Sequence, residues 1–177
     1  MNIQGLQKLT LLDYPGRVAC TVFLAGCNFR CPFCHNASLV THIDPANDIP
    51  REEVLAFLKK RQGILDGVCI TGGEPLLSPD LETFMDKVKE MGYLIKLDTN
   101  GSNVNRPKYL ADRKLIDYVA MDIKNIPEKY GMTIGIEDYN PENVIRSAEY
   151  LLSGAVPYEF RTTVVREFHK RDDFEGI

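Results

Sequence analysis

The chain has 177 residues, of which 44% are apolar and 26% charged, with a formal net charge of −4. This is enough sequence for one domain with a substantial core, and its composition excludes a disordered chain. An acidic balance without a basic block argues against nucleic acid as the main partner, and no apolar run approaches the roughly 18 residues of a membrane span.

Residues 1–16 read as a leading loop closed by the Pro15-Gly16 turn. Met1-Asn2-Ile3-Gln4-Gly5 lacks the basic and apolar regions of a signal peptide, so a reducing, cytoplasmic setting is expected. Arg17 to Leu24 is a nearly continuous apolar run, which suits a strand covered on both faces. Directly after it come Cys27, Cys31 and Cys34. A helix is expected from Pro50 to Arg61, with Val54, Leu55 and Leu58 as its apolar stripe. Gly67–Thr71 reads as a short buried strand, broken by Gly72-Gly73-Glu74-Pro75. Ser78-Pro79-Asp80 supplies an N-cap and first turn for a helix on which Leu81, Phe84, Met85, Val88 and Met91 keep helical spacing.

Tyr93–Leu97 is the third strand, stopped by Asp98-Thr99-Asn100-Gly101. A short helix around 107–114 leads to a fourth strand, Tyr118–Met121, which ends at Asp122-Ile123-Lys124. The stretch 125–139 reads as loop. Asn140-Pro141-Glu142 opens a helix with Val144, Ile145, Ala148, Leu151 and Leu152 on one face. Glu159–Val165 is the fifth strand, and the charged tail 166–177 would start another helix. This alternation predicts one α/β domain over residues 1–177, with five parallel strands joined by right-handed crossovers and an edge near residues 158–165.

Each polar cluster falls just after a strand or at its end, as expected for one site at the C-terminal rim of a parallel sheet. The three clustered thiols lack a nearby fourth, whereas electron-transfer clusters and structural zinc sites usually have four ligands. They point to an iron–sulfur cluster with one open iron. His35 could complete a zinc site, but it adjoins Cys34, and adjacent side chains rarely converge on one ion. Disulfides fit poorly with an odd cysteine count, and Cys20 and Cys69 sit singly in apolar runs. Taken alone, Gly72-Gly73-Glu74 and Asp98–Gly101 could be ordinary turns. No paired-carboxylate or Ser-His-Asp constellation is present, so no side chain is assigned as a catalytic acid, base or nucleophile.

Cys27-x3-Cys31-x2-Cys34, with Phe33 before the last cysteine, resembles the signature of radical S-adenosylmethionine (SAM) enzymes. The stretch from Gly26 to Asn36 is similar to the activating enzymes of glycyl-radical enzymes, and so are Asp98–Gly101 and Asp122–Lys124. The resemblance implies a partial (β/α) barrel of six strands, of which five are visible here and the last strand and helix are not. It implies a [4Fe-4S] cluster on Cys27, Cys31 and Cys34, with SAM held around Phe33, His35, Asn36, Gly72, Gly73, Glu74, Lys124 and Arg161. In that reading glycine lets backbone approach the ligand and Glu74 offsets the SAM ammonium. Lys124 and Arg161 meet its carboxylate, or else form salt bridges with Asp98 or Asp122. Asp98, Thr99 and Asp122 would hold a monovalent cation, potassium or sodium.

The implied reaction reduces SAM to methionine and a 5′-deoxyadenosyl radical, which takes hydrogen from a backbone glycine of a partner enzyme. An electron donor such as flavodoxin or ferredoxin would feed it. Two alternatives stay open: a related enzyme acting on another peptide or small molecule, and a non-catalytic iron–sulfur or zinc module.

Overall fold

The computed structural model describes residues 1–177. One sheet organises the chain, with strands in sequence order from β1 to β6. These are β1 (Ile3–Thr10), β2 (Ala19–Leu24), β3 (Gly67–Gly72), β4 (Leu94–Thr99), β5 (Tyr118–Asp122) and β6 (Tyr158–Arg161). Strands β2 to β6 pair in parallel, as the alternating pattern predicts. The helices are α1 (Ser38–Thr41), α2 (Arg51–Lys59), α3 (Leu81–Glu90), α4 (Asn105–Asp112), α5 (Tyr130–Ile134) and α6 (Glu142–Leu152).

The sheet has a sixth strand, but not on the β6 side. Residues 3–10, expected to lie in a loop, form β1 and run antiparallel to β2, with Ile3 opposite Leu24 and Thr10 opposite Ala19. Only its two ends are buried, so the strand shows no inside-outside alternation from which it could be read.

Side chains alternate across the parallel strands with period two. Val22, Leu24, Val68, Ile70, Ile95, Leu97, Val119 and Met121 are buried at 1% exposure or less and belong to one core cluster. They share it with Val54 and Leu58 of α2, Leu81, Phe84, Met85 and Val88 of α3, and Val144 and Leu151 of α6. Each such side chain contributes roughly 1.5–3 kcal/mol by leaving water. The intervening residues Thr21, Phe23, Thr71, Asp98, Asp122 and Arg161 line a cleft instead.

Four boundaries differ from expectation. Helix α3 begins at Leu81 rather than at Pro79, because Glu74 first caps a short 3-10 turn over Pro75–Leu77 that ends on Ser78. Strand β6 stops at Arg161, not Val165: β5 ends at Asp122, and the last ladder bond is Ile123 N–H to the Arg161 carbonyl, 2.9 Å. The expected loop 125–139 contains the 3-10 turn Pro127–Lys129 and α5, whose Tyr130 is buried against Phe29 and Tyr139. The tail starts no outward helix. It folds back through a 3-10 turn at Arg171–Glu175, where Asp173 pairs with Lys129 at 2.6 Å.

Candidate active site

A cleft of about 510 Å³ opens where the parallel strands end, within the usual range for small-molecule sites. Its walls combine Cys27, Cys31, Phe33, Cys34, His35 and Asn36 after β2 with Gly72 and Gly73 at the end of β3. Asp98, Thr99 and Asn100 come from β4 and its turn, Asp122 and Lys124 from β5 and beyond, and Arg161 from β6. Of the residues expected around a bound cofactor, only Glu74 is missing from this lining.

The cysteine loop is anchored before any ligand is considered. Phe29, 2% exposed, packs edge-on against Tyr130 and Tyr139 with centroids 6.4 and 5.2 Å away. Arg30 donates its backbone N–H to the Ile134 carbonyl at 2.8 Å, and its guanidinium to the carbonyls of Cys27 and Phe29 at 2.6 and 2.7 Å. The Cys27 sulfur receives the Phe29 N–H at 3.3 Å and the Asn100 side-chain amide at 3.8 Å. Such donors favour a thiolate. Burial opposes them, raising the Cys27 thiol and pushing Cys31 up to about 11 despite nearby Lys124.

All five cysteines are free, and no three His, Cys, Asp or Glu side chains gather closely enough for a single metal ion. Three partly exposed thiols around one cleft suit a cluster of several atoms better than a lone zinc. Cys20 and Cys69 are fully buried on β2 and β3 and do not line the cleft.

The glycine pair serves backbone packing. Gly73 donates its N–H to the Leu24 carbonyl and Glu74 donates its own to the Gly26 carbonyl, both at 2.8 Å. Gly72 has φ +115°, and a Cβ on Gly73 would collide with the Gly26 carbonyl. The close approach is therefore to the start of the cysteine loop. Asn36 adds a further tie, donating to the Gly72 carbonyl at 2.9 Å.

The Glu74 carboxylate lies behind the cleft lining, held by donors from two turns. It is 2% exposed and accepts from the Asn100 and Leu76 N–H groups, at 2.7 and 3.0 Å, and from the Thr99 hydroxyl at 3.0 Å. It locks the turn after β3 to the turn after β4. Burial pushes its carboxyl up to about 7, against the pull of those three donors.

A carboxyl raised on folding adds stability that is complete below the ordinary value, 4.5, and is lost as pH rises through about 7. On this basis stability should fall by on the order of 3 kcal/mol across that window. Glu74→Gln should flatten this part of a melting-temperature profile. It should also cost about 1–3 kcal/mol, because its amide would face the Asn100 N–H. An unchanged profile would exclude Glu74 as the source.

The charged groups form one chain of contacts. Asp98 pairs with Lys96 at 2.6 Å and Arg161 at 3.2 Å; Asp122 pairs with Arg161 at 3.1 Å and Lys124 at 2.8 Å. Lys124 and Arg161 thus pair with the aspartates while also lining the cleft. Thr99 diverges from the two aspartates and gives its hydroxyl to Glu74.

Sequence reasoning missed three residues. Asn100 donates to both Cys27 and Asn28 and so couples two loops. Lys96 is a lysine inside an apolar strand, which was its signal. His169, expected only as part of the charged tail, is 7% exposed and bonds the Lys124 carbonyl through Nε2 at 2.8 Å. Phe168 beside it approaches Phe33, with centroids 5.5 Å apart.

Known proteins resemble this chain in sequence and in fold. The radical SAM superfamily model matches residues 21–176. A protein of Methanocaldococcus jannaschii, provisionally named a glycyl-radical enzyme activating enzyme, is 31% identical over 99% of this chain and 73% of its own length. The pyruvate formate-lyase-activating enzyme of Clostridium pasteurianum is 31% identical over 72% of this chain and 54% of its own, and that of Staphylococcus aureus 30% over 71% and 53%. The chain thus spans about half the length of those two activating enzymes. Among solved structures, Streptococcus suis SuiB superposes with TM-score 0.67 at 16% identity, covering 88% of this chain and 34% of SuiB. The structure of anSMEcpe with bound AdoMet superposes with TM-score 0.58 at 21% identity, covering 77% and 40%. These likenesses support the partial-barrel fold. The chain belongs to the radical SAM superfamily.

Proposed function

We propose that this protein binds a [4Fe-4S] cluster through Cys27, Cys31 and Cys34, cleaves SAM reductively, and generates a glycyl radical on a partner enzyme. The observation that carries this reading is the convergence of three partly exposed thiols with Gly72, Gly73, Lys124 and Arg161 in one cleft. When bound, the cluster would supply the electron that splits SAM into methionine and a 5′-deoxyadenosyl radical; a flavodoxin or ferredoxin would replenish it.

The chain's own residues bind and orient. Asn100 and the Phe29 N–H stabilise negative charge on the Cys27 sulfur. Gly72 and Gly73 bring backbone to the cleft wall at the end of β3, while Lys124 and Arg161 offer cations to a ligand carboxylate. Phe33, His35 and Asn36 flank the same space. No acid–base side chain is required.

The substrate assignment rests on the activating enzymes among the relatives. It is tested by mixing reduced, cluster-loaded protein with SAM and a candidate glycyl-radical enzyme under anaerobic conditions. The expected product is a carbon radical in the electron paramagnetic resonance spectrum whose hyperfine splitting changes when the partner carries α-deuterated glycine. SAM cleavage without such a radical on any glycyl-radical enzyme tested would favour another peptide or small-molecule substrate.

A further inference from the structure

We infer that Lys96 is a built-in cation that takes the place of a potassium or sodium ion beside Asp98, one of the carboxylates lining the cleft. The inference rests on the SAM reading above and adds a positioning residue to it. All four oxygens of Asp98 and Asp122 already face donors from the chain. Asp98 Oδ1 meets Lys96 Nζ at 2.6 Å and the Cys69 thiol at 3.7 Å, and Oδ2 meets Arg161 at 3.2 Å. Asp122 Oδ1 meets Arg161 Nε at 3.1 Å and Oδ2 meets Lys124 Nζ at 2.8 Å. The Thr99 hydroxyl is committed to Glu74. An inorganic ion would have to displace a tethered donor to bind these oxygens.

The three cations are not equivalent. The Lys96 side chain is 1% exposed, whereas Lys124 is 15% and Arg161 39% exposed. Lys96 rises from the middle of β4, between buried Ile95 and Leu97, and its ammonium also reaches Glu159 at 3.5 Å. It cannot follow a ligand into the cleft without taking its charge away from Asp98, whose side chain is only 12% exposed, which is costly. Arg161 and Lys124 line the cleft and can turn toward a ligand carboxylate. Lys96 then keeps Asp98 compensated while they do so. Lys96, Lys124 and Arg161 balance Asp98, Asp122 and Glu159 in charge, so these three carboxylates hold no uncompensated charge of their own to draw in an alkali ion. An ammonium tethered to the strand also carries none of the entropy cost of recruiting a free ion.

The test measures SAM affinity by titration calorimetry on anaerobic, cluster-loaded protein in potassium, sodium or tetramethylammonium chloride at equal ionic strength. The dissociation constant is expected to stay within about twofold across the three salts, since none would be a ligand of the site. Lys96→Gln keeps a hydrogen-bond donor for Asp98 but removes the charge. It should bind SAM about tenfold more weakly in tetramethylammonium and recover in potassium. Lys96→Met serves if the first variant fails to fold, which a melting curve detects. Unmodified protein that needs potassium or sodium for affinity would overturn the inference alone. So would a folded Lys96 variant whose affinity ignores potassium, whether high or low. Absence of SAM binding in every salt would overturn the SAM reading and this inference with it.

Discussion

Alanine at Cys27, Cys31 or Cys34 is expected to leave the protein without bound iron and sulfide and to abolish SAM cleavage, while Cys20→Ala and Cys69→Ala keep both. The first three share the cleft, and Cys27 already receives two N–H donors. Two remaining thiolates are too few to hold a cluster that normally has more ligands. The loss should exceed the roughly 10–100-fold typical of changes outside a metal's direct ligands. The other two cysteines are 0% exposed within β2 and β3, and burial pushes Cys20 up to about 12, which keeps it an unreactive thiol. Their removal should cost only about 1 kcal/mol in stability. Iron, sulfide and 5′-deoxyadenosine assays on all five variants decide the matter. Loss of the cluster in Cys20→Ala or Cys69→Ala, with the fold intact, would contradict the assignment.

Gly73→Ala should be nearly as damaging, for a reason that lies in the backbone rather than in a ligand. Its Cβ would press on the Gly26 carbonyl and lie 3.3 Å from the Cys27 N–H nitrogen, so the cysteine loop must move. Neither obstacle is a flexible side chain. The strain belongs at the upper end of the about 1–3 kcal/mol usual for overpacking, and displacement of Cys27 should sharply reduce cluster content. Gly154→Ala is the control. Gly154 also has a left-handed φ, +78°, but nothing lies within 4 Å of the added carbon. That variant should lose a little stability and no cluster. Full cluster occupancy and an unaltered melting temperature in Gly73→Ala would show that the close backbone contact has no role.

The parallel part of the sheet was legible because β2, β3, β4 and β5 are apolar runs stopped by glycine or polar residues. Helices α3 and α6 kept clear apolar faces for the same reason. β1 was not legible, since only Ile3 and Thr10 at its ends are buried. The five residues of α5 are too few to show a helical period. At the site, spacing identified the cysteines and placed the polar turns together at one rim. It could not tell which way Glu74 points, because a carboxylate after a strand can face a ligand or a neighbouring turn. The donors of Thr99, Asn100 and Leu76 settle that, and they come from two separate turns. Lys96 was half legible. Two residues before Asp98 on the same strand, it shares Asp98's face by alternation. Its partner Glu159 lies on β6, beyond what local pattern can reach. His169 depends on the tail folding back over Lys124, a long-range contact with no local signal.

The most direct measurement is SAM turnover by the unmodified, cluster-loaded protein, reduced under anaerobic conditions without any partner. If Cys27, Cys31 and Cys34 hold a cluster beside a SAM site, 5′-deoxyadenosine and methionine should accumulate together in equal amounts, and only after reduction. Protein that carries zinc in place of iron and sulfide, or that leaves SAM intact when its cluster is fully reduced, would contradict the account.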